Sequence, residues 1–248
     1  MNAQTHSPIV ELRQYTLHSG QRDTLIELFD REFVETQEAV GMQVIGQFRN
    51  LDDPDQFVWL RGFNDISARA QSLNAFYGGP IWKAHRDVAN ATMIDSDNVL
   101  LLRLVHPTSG FSLTHEPRPP SGSTTTRAGF VIATIYYFDK PVTSDFISYF
   151  ENTMQPAFIE TGASILAYFV TEDSPNTFPA LPVREGENVF VWFAGFREAE
   201  AYERHVAGLA ESKLWKDEIS KSLKRRLKRK PEILRLSPTT RSRLTGTS

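Results

Sequence analysis

Cysteine is absent from the 248 residues. That one absence excludes disulfides, thiolate-held iron–sulfur clusters, cysteine-ligated zinc and a thiol nucleophile. Long apolar runs are missing too, since stretches such as Val99–Leu102 fall far short of the roughly 20 residues that cross a bilayer as a helix. The polar opening Met1–Pro8 has neither a signal-peptide pattern nor the Arg-rich amphipathic pattern of a transit peptide, so a cytoplasmic location and no membrane partner are expected. Charge of one sign is lacking as well: 27 Lys and Arg stand against 30 Asp and Glu. Nothing therefore draws the whole molecule to nucleic acid, and no nucleic-acid partner is expected. Neither GxxxxGK[ST] nor GxGxxG occurs, which removes both common phosphate loops. What remains is 40% apolar and 11% aromatic, enough for a sizeable core.

The chain repeats itself. Phe57-Val58-Trp59-Leu60-Arg61-Gly62-Phe63 returns as Phe190-Val191-Trp192-Phe193-Ala194-Gly195-Phe196, and Trp82-Lys83 returns as Trp215-Lys216 at the same offset. Tyr15 and Gly41 match Tyr136 and Gly162 at a shorter offset, so the second copy carries an insertion, read as Glu172–Asn188. In copy one, Ile9–Leu17 reads as a strand and Gly20–Glu38 as a helix with Leu25, Leu28, Phe29 and Phe33 on one stripe. Met42–Arg49 and Phe57–Phe63 read as a hairpin, Ile66–Phe76 as a helix, Pro80 as the start of another through Ala91, and Val99–Val105 as strand four. Copy two repeats this order, with strands near 129–138, 163–171, 188–196 and 232–236 and helices near 143–160 and 197–229. The segment 106–127, with four prolines and a Ser/Thr/Gly run, reads as a linker.

The expected fold class is therefore α+β: two tandem ferredoxin-like βαββαβ units, 9–105 and 128–237, joined by the 106–127 linker. Each bare sheet face needs a cover, and two units pairing within one chain as an α/β barrel supply it. A homo-oligomer built on that barrel is also expected.

Val10-Glu11-Leu12-Arg13-Gln14-Tyr15-Thr16-Leu17, Phe57-Val58-Trp59, Phe76-Tyr77-Gly78-Gly79-Pro80-Ile81-Trp82-Lys83 and Asp95-Ser96-Asp97-Asn98-Val99-Leu100-Leu101-Leu102-Arg103 resemble the NIPSNAP family of the dimeric α/β-barrel superfamily. Copy two is more divergent, with Ile132, Thr134 and Tyr136 where Glu11, Arg13 and Tyr15 stand. The resemblance implies the same tandem barrel but no particular reaction. Related barrels include cofactor-independent monooxygenases, haem proteins and isomerases, and animal relatives have interaction roles.

Alternation on strand one sets Glu11, Arg13, Tyr15 and Leu17 on one face. On strand three, Val58, Leu60 and Gly62 form a small apolar face suited to covering helices, which assigns Trp59 and Arg61 to the barrel interior. Arg13, Arg61 and Arg103 are then expected around Glu11, with Tyr15 and Trp59 as flat walls: a site for a small anionic or aromatic metabolite, or simply an ion-paired sheet. His85, on the helix after Gly78-Gly79-Pro80, is the remaining candidate ligand-binding residue; that helix start offers amide donors to an anion, or merely a kink. The other histidines, His6, His18, His106, His115 and His205, show no metal-ligand spacing, so neither metal nor cofactor is expected. Asp95-Ser96-Asp97-Asn98 lacks the rest of a calcium loop and reads as a turn. The basic run Lys221–Lys230 reads as a solvated helix end on the stripe Ile219, Leu223, Leu227. Two functions stay open: small-molecule binding in the barrel, with cofactor-independent monooxygenase-like or isomerase-like chemistry, or a non-enzymatic interaction protein with a packed core.

Overall fold

The computed structural model describes residues 7–113, 117–124 and 128–246. His6 and His115, and part of the 106–127 linker, lie outside the described residues. The first half runs β1 (Ile9–Leu17), α1 (Arg22–Leu28), a π turn (Phe29–Phe33), α2 (Val34–Glu38), β2 (Gln43–Asn50), β3 (Gln56–Phe63), α3 (Ile66–Gly78), α4 (Pro80–Ala91) and β4 (Met93–Leu104). The second runs β5 (Phe130–Phe138), α5 (Ser144–Tyr149), a π turn (Phe150–Met154), α6 (Gln155–Glu160), β6 (Ser164–Thr171), β7 (Asn188–Phe196), α7 (Ala199–Glu211), a π turn (Trp215–Ile219), α8 (Ser220–Arg226) and β8 (Glu232–Pro238).

All eight strands close into one antiparallel barrel in the order β1-β3-β2-β8-β5-β7-β6-β4. Within each half the order is that of a ferredoxin-like sheet, and the halves are stitched at two seams, β2 with β8 and β4 with β6. Closure leaves no free sheet edge. The α+β class and the barrel pairing stand as expected.

The facing of the strands does not. Val10, Leu12, Val58, Leu60, Leu100 and Leu102 pack with Val131, Ala133, Phe169, Val191, Phe193 and Leu236 as a single core inside the barrel. Glu11, Arg13, Tyr15, Trp59 and Arg61 have the opposite parity and lie in the layer beneath the helices. Inside the barrel β1, β3 and β4 contribute branched aliphatic chains against which Phe169 and Phe193 of the second half pack, whereas the sheet–helix layer of the first half takes the indole, the phenol and the guanidiniums. The small face of β3 thus belongs to the interior, and the interior is filled.

The linker and the tail complete that filling. Phe111 packs against Phe169 and Phe193 at 5.3 and 5.0 Å, and Leu113 and Leu244 join the same core. Arg118 pairs with Glu38 at 2.6 Å, tying the segment to the first half. The tail crosses β7 so closely that a Cβ on Gly195 would come 2.2 Å from the Gly246 carbonyl oxygen, so only glycine fits there.

Two further readings change. The 95–98 segment is not a turn before strand four but part of β4: Asp95 and Asn98 face Thr16 and Gln14 across an irregular register. Its turn chemistry survives as a bulge, with Asp97 N–H donating to Asp95 Oδ1 at 2.8 Å. The single helix expected over 197–229 is broken at Ser212 and ends at Arg226.

Candidate functional site

In the first half, β1 and β3 place Glu11 opposite Arg61 and Arg13 opposite Trp59. Glu11 Oε2 accepts from Arg13 Nη1 and Arg61 Nε, both at 2.7 Å, and Oε1 accepts from Arg69 Nε at 2.6 Å. All four side chains are fully buried. Burial alone drives a carboxyl's pKa up, but Arg61, Arg13 and Arg69 outweigh it and hold Glu11 far below the ordinary carboxylate range. The Arg13 and Arg61 guanidiniums sit 5.6 and 5.1 Å from the Trp59 ring centroid, and Arg13 Nε donates to Tyr15 Oη at 2.9 Å.

Of the candidates read from the sequence, Glu11, Arg13, Tyr15, Trp59 and Arg61 come together, beneath helices rather than inside the barrel. Arg103 does not join them. It sits at the end of β4, 45% exposed and 3.8 Å from Asp173, and its place around Glu11 is taken by Arg69 of α3. His85 stands 3.5 Å from Glu32 and against Phe33, with no contact to the cluster. The insertion of the second half lies over the cluster as a strap. Asn176 Oδ1 and Thr177 Oγ1 accept from Arg69 Nη1 at 3.1 and 3.2 Å, and Phe178 packs on Tyr77 at 5.6 Å.

The second half has the same scaffold with different contents. Ile132 faces Ala194 where Glu11 faces Arg61, and Thr134 faces Trp192 where Arg13 faces Trp59. Sequence spacing likewise sets Tyr202 at the place of Arg69 and Phe158 at that of Gln37. With Thr134, Ala194 and Tyr202 in place of three guanidiniums and Ile132 in place of the carboxylate, a cavity of about 640 Å³ lies between β5, β7 and the helices α7 and α8. Its wall is aromatic: Phe158 stacks on Trp192 at 4.6 Å and 7°, and Tyr136, Phe196, Tyr202 and Trp215 also line it.

His205 of α7 is the imidazole in this apolar space, beside the phenols of Tyr136 and Tyr202. Thr161 Oγ1 donates to the helix carbonyls of Ala157 and Phe158 at 3.0 Å, which commits its only proton. His205 Nδ1, 2.7 Å from the same oxygen, is then the donor to it, and Nε2 keeps its lone pair. Burial lowers the His205 pKa, so the ring is held neutral as a base. At the mouth stand Lys224, Arg229 and Lys230, with exposed Val206 and Ile233. Arg229 lies 3.6 Å from the Tyr137 ring centroid. The basic run therefore reaches past its helix to rim a cavity, while Ile219 and Leu223 are buried and Leu227 packs beside them as the stripe required. Sequence reading passed over His205 as one scattered histidine. The signal was present in the repeat, where Ala194 stands for Arg61.

Among the described residues no group of three or more His, Asp or Glu side chains could hold a metal, and no helix is long and apolar enough to cross a membrane.

Residues 10–107 match the NIPSNAP family model. None of the curated proteins matches the chain. Among solved structures, a provisionally assigned monooxygenase of Fusobacterium nucleatum is similar with a TM-score of 0.57 at 13% identity, over 94% of this chain and 93% of that one. Another, from Lactobacillus acidophilus, is similar with a TM-score of 0.54 at 15% identity, over 94% of both chains. A NIPSNAP-like domain protein from Burkholderia xenovorans is 25% identical over 48% of this chain and 98% of its own, with a TM-score of 0.38. The first two likenesses establish the shared barrel fold.

Proposed function

Since residues 10–107 of this chain form a NIPSNAP domain, closed by a second half whose sheet–helix layer is hollow, we propose that the second half is the working one. It binds a small, flat, largely apolar molecule with an anionic group and carries out proton abstraction on it. The observation that carries this reading is the aromatic cavity of about 640 Å³ with a single buried imidazole and a basic rim. Its volume falls within the ~300–1,000 Å³ of small-molecule sites. The Phe158–Trp192 stack and Tyr202 offer planar faces, and Lys224 and Lys230 offer cations where the ligand's polar end meets water.

The chemistry that suits such a site is general base catalysis. His205 Nε2 takes a proton from a phenol or an activated methylene, and Thr161 keeps the ring oriented through Nδ1. A carbanion or phenolate of an extended aromatic system is electron-rich enough to react with dioxygen without a cofactor. In that reaction a methylene becomes a carbonyl, one oxygen atom is retained, the other leaves as water with the two methylene hydrogens, and the substrate supplies all four electrons that reduce dioxygen. The provisional monooxygenase assignments of the two neighbours above agree with this class of reaction. Without dioxygen, return of the proton elsewhere on the substrate would be an isomerisation.

The test is calorimetric titration of 2-naphthoate into the full chain, followed by oxygen-electrode assays with hydroxynaphthoates and tricyclic ketones carrying an acidic methylene. Saturable binding, and oxygen uptake that His205→Gln lowers by a factor of about 10²–10⁴ without weakening binding, is the expected result. No binding by any of these aromatic acids would refute the reading. The filled barrel interior offers the second reading, an interaction protein with a packed core, no comparable support, because a cavity of this size lies beside it.

A further inference from the structure

The floor of the second-half cavity is not wholly apolar. β5 and β7 bring Thr134, Tyr136 and Trp192 to its lining, with Thr134 opposite Trp192 in the strand register. All three side chains are buried, yet their polar atoms are poorly partnered. Trp192 Nε1 has no hydrogen-bond partner among the described residues. Its N–H lies near enough to the Tyr136 oxygen to favour ionisation of the phenol, but burial outweighs that pull and holds the pKa above its ordinary value. The Tyr136 hydroxyl therefore keeps its proton through the neutral range. Among the described residues neither that hydroxyl nor the one on Thr134 donates to an acceptor. A buried donor left unpaired is costly, and these face a cavity of about 640 Å³ rather than packed side chains. In the first half the matching Tyr15 and Trp59 lie against the guanidiniums of Arg13 and Arg61, which the second half does not have. Phe158 links the donors to His205, since its ring stacks on Trp192 at 4.6 Å and meets the imidazole at 6.1 Å. Donors and base thus stand no more than two ring contacts apart, within the span of a fused aromatic system.

Resting on the reading that this cavity binds a flat aromatic molecule, we propose that Tyr136, flanked by Thr134 and Trp192, is the hydrogen-bond donor to a ligand oxygen conjugated with the carbon that His205 deprotonates. The substrate class narrows accordingly. Besides an anionic group at the basic rim, the molecule carries a ketone oxygen that meets the floor. The step balances within the site: the C–H bond breaks, the proton goes to His205 Nε2, and the electron pair moves through the ring system to the carbonyl, which becomes an enolate or phenolate oxygen. Tyr136 does not give up its proton. It donates more strongly to the developing oxyanion than to the carbonyl, and in an apolar cavity that difference lowers the barrier. The Trp192 N–H beside the phenol oxygen makes Tyr136 a stronger donor still.

Spectrophotometric pH titration of 6-cyano-2-naphthol bound to the full chain tests this, because naphthol and naphtholate absorb at different wavelengths. The pKa of the bound naphthol in the wild type should lie about 1–2 pH units below that in Tyr136→Phe, the shift that one charge-assisted hydrogen bond supplies. That variant keeps the ring and loses only the hydroxyl, so the packing of the floor is preserved. Equal values in wild type and Tyr136→Phe overturn the proposal while leaving aromatic binding in the cavity intact. A shift that Lys230→Gln removes and Tyr136→Phe does not would put the oxygen at the rim and overturn it equally. Failure of both 6-cyano-2-naphthol and 2-naphthoate to bind overturns the proposal together with the reading beneath it.

Discussion

Replacing Glu11 by Gln isolates the electrostatics of the first half while keeping the shape of the side chain. Glu11 accepts three charge-assisted hydrogen bonds at 2.6–2.7 Å with no solvent access. Such bonds contribute about 1.5–3 kcal/mol each. The amide can keep one acceptor, but it turns its NH₂ toward a guanidinium and leaves three buried cations without an anion. Breaking a buried pair in this way costs about 3–5 kcal/mol, and that is the loss expected at pH 7. The pH dependence follows from the lowered pKa of Glu11 in the folded chain. A carboxylate held below its unfolded value of about 4.3 contributes fully above that pH and loses its contribution as the pH falls toward the folded value. The gap between wild type and Glu11→Gln should thus be constant from pH 7 to about pH 5 and shrink below it. Urea unfolding across that range measures it. A gap under about 1 kcal/mol at pH 7, or one that widens in acid, would refute the reasoning.

Other expectations follow from the two sheet–helix layers and the barrel core. Ala194→Trp should fill the second-half cavity and abolish naphthoate binding by calorimetry, while far-ultraviolet circular dichroism stays unchanged. Lys230→Glu should weaken binding of an aromatic acid more than of its neutral amide, and the difference should fade as salt rises, as rim charges do. Phe111→Ala should cost about 3–5 kcal/mol in denaturant unfolding, because the ring packs inside the barrel against Phe169 and Phe193; a loss below about 1 kcal/mol would mean the linker is not part of the core.

The architecture was legible in the sequence because period-two alternation and turn residues are local signals, and the repeat of Phe57–Phe63 in Phe190–Phe196 multiplied them. The association of Glu11 with Arg13 and Arg61 was legible for the same reason, since strand parity and pairing order decide it. Which face turned inward was not. Val58, Leu60 and Gly62 are as suited to a helix as to a barrel lumen, and only closure of all eight strands shows that the lumen takes the smaller set. Arg69 was missed because it reaches Glu11 from a helix, where spacing carries no information about a sheet. Arg103 was misplaced because its strand runs out before the helices cover it. The cavity escaped notice because it arises from what the second half lacks: Ala194 and Ile132 carry no chemistry, and their meaning lies in the guanidinium and carboxylate they replace.

A crystal structure with 6-bromo-2-naphthoate, phased at the bromine edge, bears most directly on where small molecules bind in this protein. The bromine should appear between β7 and α7, with the naphthalene on the Phe158–Trp192 stack within reach of His205 and the carboxylate toward Lys230. A bromine inside the barrel, or beneath the helices of the first half, would contradict it.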